Sequence, residues 1–198
     1  MKILISAFKP FNNETINPSL IIAEKIAKNY NDEIKVIPLN VEYNNDSIKL
    51  INEIKTYEPD YVFCLGQAGG RSKISLEYFA LNMQSASIKD NIEVFISHNE
   101  IIKDGKEAYK SNIDLLDVVS SLNNERLTIS YNAGTFICNE IYYNSLKYIY
   151  ENNLNTKCVF IHIPFIETQV ENRPNIPFIS LNDSINIITD IIKYVTKI

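Results

Sequence analysis

The chain has 198 residues, 45% of them hydrophobic and 22% charged, the composition of an ordinary globular protein and too apolar for a disordered one. Its formal net charge is -5 and no basic run exceeds two residues, which argues against nucleic acid and anionic membrane as partners. No apolar stretch approaches a membrane span, and a chain of this length fits one domain over residues 1–198.

The N-terminal apolar run ends at Lys9-Pro10. It is too short for the core of a signal peptide and has the length of a strand, Lys2–Phe8. A helix is predicted to start at Asn17-Pro18, an N-cap followed by proline at the first helical position, and to run through Ile22, Ile26 and Ala27. A strand Glu33–Leu39 follows, then a helix from Asn44 to Tyr57 with Ile48, Ile51 and Ile54 on one face. The next strand is Tyr61–Leu65. The stretch from Ile74 to Ile102 breaks the rhythm and reads as a small hairpin excursion, with short strands around Asp90-Asn91. The pattern resumes with a helix near Ile113–Leu122, a strand Leu127–Tyr131, a helix following Cys138, a strand Cys158–Ile163 and a last helix near Asp183-Ser184 carrying Ile188, Ile191, Ile192 and Val195. Strands alternating with helices predict an α/β fold, a mainly parallel sheet covered on both faces. Such sheets place ligands at the carboxyl ends of their strands, so informative residues are expected just after them.

Three cysteines, an odd number without a C-x-x-C pair, suggest neither a disulfide framework nor a zinc ribbon, and fit a reducing, cytoplasmic compartment. Cys64 and Cys158 lie inside apolar strands and read as small core side chains. Cys138 stands near the start of a helix, after the turn Asn132-Ala133-Gly134-Thr135. There, unpaired N–H groups and the helix dipole are expected to lower a thiol's pKa and to hold an oxyanion, although a cysteine merely packing the first turn fits as well.

Of the two histidines, His162 ends a strand before Ile163-Pro164, and His98 falls in the excursion as a surface residue. His162 is either a satisfied structural side chain or a base. If the strands Leu127–Tyr131 and Cys158–Ile163 are neighbours, Cys138 and His162 emerge at one edge and can exchange a proton. Three of the five glycines lie in Gly66-Gln67-Ala68-Gly69-Gly70-Arg71, which suits either close approach of backbone to a ligand or a tight turn. This loop is neither a dinucleotide fingerprint nor a P-loop. Glu77 reads either as a solvated carboxylate or as a third member that orients His162.

Taken together, Ala133-Gly134-Thr135-Phe136-Ile137-Cys138-Asn139 resembles the nucleophile signature A-G-T-[FY]-[VI]-C-N of the pyroglutamyl peptidase I family. Co-linear with it are Phe8-Lys9-Pro10-Phe11 with Asn17-Pro18-Ser19, Gly66 to Arg71 running on to Glu77, and Phe160-Ile161-His162-Ile163-Pro164. Asp90-Asn91 and Asp104-Gly105 with Ala108-Tyr109 match too, so the likeness spans nearly the whole chain. It implies an α/β/α sandwich and a cysteine exopeptidase with Cys138 as nucleophile, His162 as general acid/base and Glu77 as orienting carboxylate. It also implies that Phe8 and Phe11 enclose the ring of an N-terminal pyroglutamate on a peptide substrate, with Gln67 and Asn17 at its polar edge. The resemblance implies no metal or cofactor, and a homotetramer or dimer in the cytoplasm. The chain departs from the family at Asn12-Asn13, where Gly-Gly is usual, at Ser87 and Lys89, usually Arg and Pro, and around Val41 and Tyr43. The rival readings are a non-catalytic homologue that binds pyroglutamyl peptides, and an amide or ester hydrolase with an altered pocket.

Overall fold

In the computed structural model, which describes residues 1–30 and 34–198, strand β1 (Ile3–Phe8) is buried along its whole length. Alternate side chains leave a strand on opposite faces. Ile3, Ile5 and Ala7 therefore enter one core, and Leu4 and Phe8 the other. A strand apolar on both faces needs cover on both sides. The remaining strands are β2 (Ile34–Leu39), β3 (Tyr61–Gln67), β4 (Ile74–Glu77), β5 (Phe79–Leu81), β6 (Ala108–Lys110), β7 (Leu127–Ser130) and β8 (Lys157–Ile163). Six of them form one sheet in the order β2-β1-β3-β8-β4-β7, while β5 and β6 make a separate antiparallel pair. The first four in that order run parallel; β4 is antiparallel to β8, and β7 runs with β4. Pro38 sits in β2, an edge strand, where a missing N–H is tolerated.

The helices are α1 (Pro18–Lys28), α2 (Asn45–Tyr57), α3 (Leu115–Leu122), α4 (Ile137–Glu151), α5 (Glu167–Val170) and α6 (Leu181–Thr196). α1, α3 and α6 cover one face through Ile22, Ile26, Val118, Ile188 and Ile191. α2 and α4 cover the other through Leu50, Ile54, Ile141, Tyr142 and Leu146. The result is a three-layer α/β/α sandwich. No helix among the described residues is long and apolar enough to cross a membrane.

Local differences from the expected pattern have physical causes. Glu33, the expected start of the second strand, lies outside the described residues. Helix α2 buries Ser47, Leu50 and Ile54, while Ile48 is 57% exposed and Ile51 only partly covered. Its face is rotated because the Ser47 hydroxyl donates to Glu140 of α4 at 2.7 Å, an anchor that apolar periodicity does not register. Helix α6 starts before Asp183, because Ser180 caps it by accepting the Asp183 N–H at 3.0 Å.

The excursion closes on itself through an antiparallel bridge between Gln84 and Asn99, but it has no strands at Asp90-Asn91. Ile74–Glu77 belongs to the main sheet as β4, and β5 pairs with β6 from beyond the excursion. Asp90 instead organises a turn, its buried carboxylate accepting the N–H groups of Ile92, Val94 and Tyr43 at 3.0, 2.7 and 3.0 Å. Such side-chain acceptors compete with a strand ladder for the same backbone donors.

Candidate active site

The strands preceding Cys138 and containing His162 are not neighbours: β4 lies between β7 and β8, and β7 runs with β4 and so opposite to β8. A shared strand edge therefore does not bring the two residues together. The loop 131–136 carries the chain away from β7 and delivers the first turn of α4 to the carboxyl end of β3 instead. There a Cβ added to Gly66 would sit 3.1 Å from the Cys138 sulfur and 2.7 Å from the Phe160 ring, and Gly66 is the register partner of His162. Gly66 is glycine because backbone, thiol and ring converge on it.

Several hydrogen bonds pin that first turn. Asn139 accepts the Leu81 N–H and donates to the Leu81 and Met83 carbonyls, each at 2.8 Å, and the Thr135 hydroxyl donates to the Ser85 carbonyl at 2.6 Å. The base of the excursion thus holds the start of α4. Gly134 bends the approach at φ 78°, a left-handed conformation natural to glycine. The N–H groups of Asn139 and Glu140 bond back to the Phe136 carbonyl, while those of Ile137 and Cys138 find no acceptor among the described residues. They are open donors beside the thiol.

His162, at the end of β8, is 4% exposed, and its Nδ1 lies 2.7 Å from Glu77 Oε1. The same oxygen accepts from Arg71 Nη1 at 2.6 Å. Glu77 is fully buried, with Oε2 unpartnered. Burial alone would raise its pKa, but the hydrogen bond and charge of His162, with Ser130 and Arg71, outweigh it and hold Glu77 below the ordinary carboxylate value. An ionised carboxylate can only accept, so Nδ1 carries a proton and Nε2 of the neutral ring keeps its lone pair. Burial also pushes the His162 pKa down, against the opposing pull of Glu77, and favours that neutral ring.

The expectation of a lowered thiol pKa is corrected. Burial, followed by the Glu77 carboxylate, pushes Cys138 up to about 12, and Arg71 and the residue's own N–H only partly offset this. Both shifts favour a neutral thiol beside a neutral imidazole, with Cys138 itself partly exposed to the cavity. Cys64 and Cys158 are fully buried in adjacent strands, and His98 is exposed at the surface.

Cys138 and His162 line one cavity of about 150 Å³ together with Phe8, Phe11, Asn17 and Gln67, so all the expected side chains except Glu77, which stands behind His162, face a common space. Phe136 completes the aromatic wall, its ring centroid 6.3 Å from Phe11 and 5.5 Å from Tyr43. Val41 also lines the cavity, at φ 65°. Asn12 and Asn13 adopt φ 52° and 62°, so the turn before the site has the left-handed backbone that asparagine tolerates best among non-glycine residues. Residue-by-residue reading passed over Arg71 as a site residue, and over Gln169, whose Nε2 donates to Gln67 Oε1 at 2.8 Å. Arginine adjacent to a glycine-rich loop is a signal for the first. Nothing local marks the second. No group of three or more His, Cys, Asp or Glu among the described residues is placed to hold a metal ion.

The arrangement can carry out acyl transfer: a thiol, an oriented imidazole, open backbone donors and a small aromatic pocket. Known proteins bear on that chemistry. The pyroglutamyl peptidase family model matches residues 1–197. The chain is 40% identical to pyrrolidone-carboxylate peptidase 2 of Caldanaerobacter subterraneus subsp. tengcongensis, covering 100% of this chain and 97% of the relative. It is 39% identical to the pyrrolidone-carboxylate peptidase of Brachyspira hyodysenteriae over 98% of each. Among solved structures, pyroglutamyl peptidase I of Bacillus amyloliquefaciens superposes with a TM-score of 0.90 at 27% identity, covering 100% of this chain and 97% of that one. The pyrrolidone carboxyl peptidase of Fervidobacterium islandicum AW-1 superposes at 0.92 with 29% identity, covering 100% and 99%. Sequence, fold and the contents of the cavity agree, and this chain belongs to the pyroglutamyl peptidase family.

Proposed function

We propose that the protein removes N-terminal pyroglutamate from peptides by cysteine-dependent acyl transfer. The observation that carries this reading is the single small cavity shared by Cys138, His162, Phe8, Phe11 and Gln67, with His162 held by Glu77. A lactam has apolar ring faces that suit Phe8 and Phe11 and an amide edge that suits a side-chain amide.

In the proposed reaction, His162 Nε2 takes the thiol proton as the Cys138 sulfur attacks the pyroglutamyl carbonyl. A preformed thiolate is not required, and the raised thiol pKa is compatible with this concerted transfer. The free N–H groups of Ile137 and Cys138 serve the tetrahedral oxyanion. Glu77 and the imidazolium form an ion pair while His162 passes the proton to the departing amine. Water, activated by His162, then releases pyroglutamate from the thioester. The test is release of a fluorophore from its pyroglutamyl amide. Wild type is expected to release it and Cys138→Ala to lose at least ~1,000-fold, a loss comparable to removing a catalytic nucleophile; equal rates would overturn the assignment.

The same reading places the enzyme in the cytoplasm, as one domain over residues 1–198, in a homotetramer or dimer. Met83, Ile92 and Phe95, exposed along the excursion, support association through that segment. Sedimentation of wild type beside Phe95→Asp measures it, with a shift to monomer expected.

A further inference from the structure

Gln67 lines the cavity, but a side-chain amide can present either an N–H or an oxygen to a ligand, and the two recognise opposite chemistry. Here a backbone group settles which. The Ile166 N–H can only donate, so the Gln169 atom facing it at 3.2 Å is Oε1. Gln169 Nε2 must then donate to Gln67, and the Gln67 atom receiving it at 2.8 Å is Oε1. Gln67 Nε2 has no partner among the described residues and is left for the cavity.

Asn17 obeys the same logic. Its Oδ1 already accepts from the Ser19 N–H at 3.1 Å and the Ser19 hydroxyl at 2.8 Å, and its Nδ2 donates to the Lys9 carbonyl at 3.2 Å with one hydrogen to spare. Both amide side chains of the cavity therefore offer N–H. Gln169 itself is buried, 7% exposed, in the short helix α5, and does not line the cavity.

We infer that Gln169 is a positioning residue for specificity: it locks the Gln67 amide with its N–H toward the ligand, so that the site recognises the ring carbonyl of the pyroglutamyl lactam. This deepens the proposed peptidase reading and rests on it. A ring without that carbonyl, such as an N-terminal proline with its cationic nitrogen, meets donors where it needs acceptors and is rejected.

The test compares wild type, Gln169→Glu and Gln67→Glu on a pyroglutamyl-fluorophore amide, with melting curves. A glutamate at 169 still accepts the Ile166 N–H and so keeps the α5 cap, but it cannot donate to Gln67, whose amide then turns its oxygen to the cavity. The expected result is KM raised at least ~10-fold with kcat within ~3-fold and melting lowered by no more than a few degrees, the range in which a mispaired polar contact acts on binding. Gln67→Glu is expected to show the same split, since each variant removes the same donor. Unchanged KM in either single variant overturns the inference, as does kcat falling in step with stability. Should Gln169→Glu fail to fold, Gln67→Glu decides alone. Inactivity of the wild type would instead fall on the peptidase reading.

Discussion

Gly66 and Cys138 meet so closely that a single methyl on the glycine would stand 3.1 Å from the sulfur, with the Phe160 ring at 2.7 Å on its other side. The end of β3 thus forms the seat of the nucleophile as well as a wall of the site. Gly66→Ala is expected to displace both neighbours. Overpacking of this kind costs ~1–3 kcal/mol, or a few degrees of melting temperature for each kcal/mol in a chain of this size. The expected kinetic loss is larger, ~10–100-fold in kcat/KM, because a sulfur moved by a fraction of an ångström no longer aligns with its target. Calorimetry and amide-release kinetics together check the two effects.

The neutral resting pair sets the pH dependence. With His162 lowered by burial and Cys138 raised to about 12, the reactive form persists from below the ordinary histidine range up into alkaline pH. The expected kcat/KM profile has an acid limb below 6.5, the unperturbed histidine value, followed by a plateau rather than a narrow bell. Iodoacetamide should alkylate Cys138 of the free enzyme more slowly than free cysteine at pH 7, with a rate still rising at pH 9. A bell centred near neutrality would show a thiolate–imidazolium pair instead.

Arg71 shares Glu77 Oε1 with His162, and when the imidazole is neutral it is the positive charge within hydrogen-bond reach of the buried carboxylate. Arg71→Gln removes that charge and is expected to lower kcat ~10–100-fold by loosening the histidine's partner, in the range seen when an orienting contact behind a reactive group is lost. Because Arg71 also depresses the His162 pKa, the acid limb should move to higher pH. Arg71→Lys, which keeps the charge but not the planar fork, should restore the limb and part of the rate.

Glu140 is buried in the first turn of α4, accepting from the Ser47 hydroxyl and the Asn44 N–H at 2.7 and 3.0 Å. Burial, only partly offset by those bonds, pushes it up to about 7. A carboxyl with a raised folded value is protonated in the native state while the unfolded chain has already ionised. Its contribution is complete below about 4.5, declines through the interval and is lost above about 7. Glu140→Gln retains an acceptor for both donors and removes the buried charge. It should raise the melting temperature at pH 8, by up to ~3 kcal/mol of stability, and change little at pH 4.5. Paired thermal scans at the two pH values measure the difference.

How far the sequence led can be judged from particular residues. β1, β3 and β8 were legible because strands buried on both faces are continuous apolar runs, and Asn17-Pro18 announces α1 by its cap. Cys138 and His162 were marked by the element ends they occupy, Phe8, Phe11 and Gln67 only by likeness to one family, and all five do share a cavity. What escaped depends on contacts distant in the chain. The rotated face of α2 follows from Ser47 reaching Glu140, 93 residues away, and the orientation of Gln67 from Gln169, 102 residues away. The insertion of β4 between β8 and β7 has no local signature either, since four residues of apolar alternation fit many positions in a sheet.

That insertion also bears on when the molecule can act. β8 comes after the other five strands of the sheet in chain order, yet it lies in the middle of the sheet, flanked by β3 and by β4, whose Ser75 is the register partner of His162. Until β8 docks there, Glu77 has no histidine to orient and Gly66 has no register partner. A nascent or half-folded chain is therefore catalytically silent, and appearance of the first turnover during refolding marks closure of the sheet's centre, the most non-local and hence the slowest class of folding event.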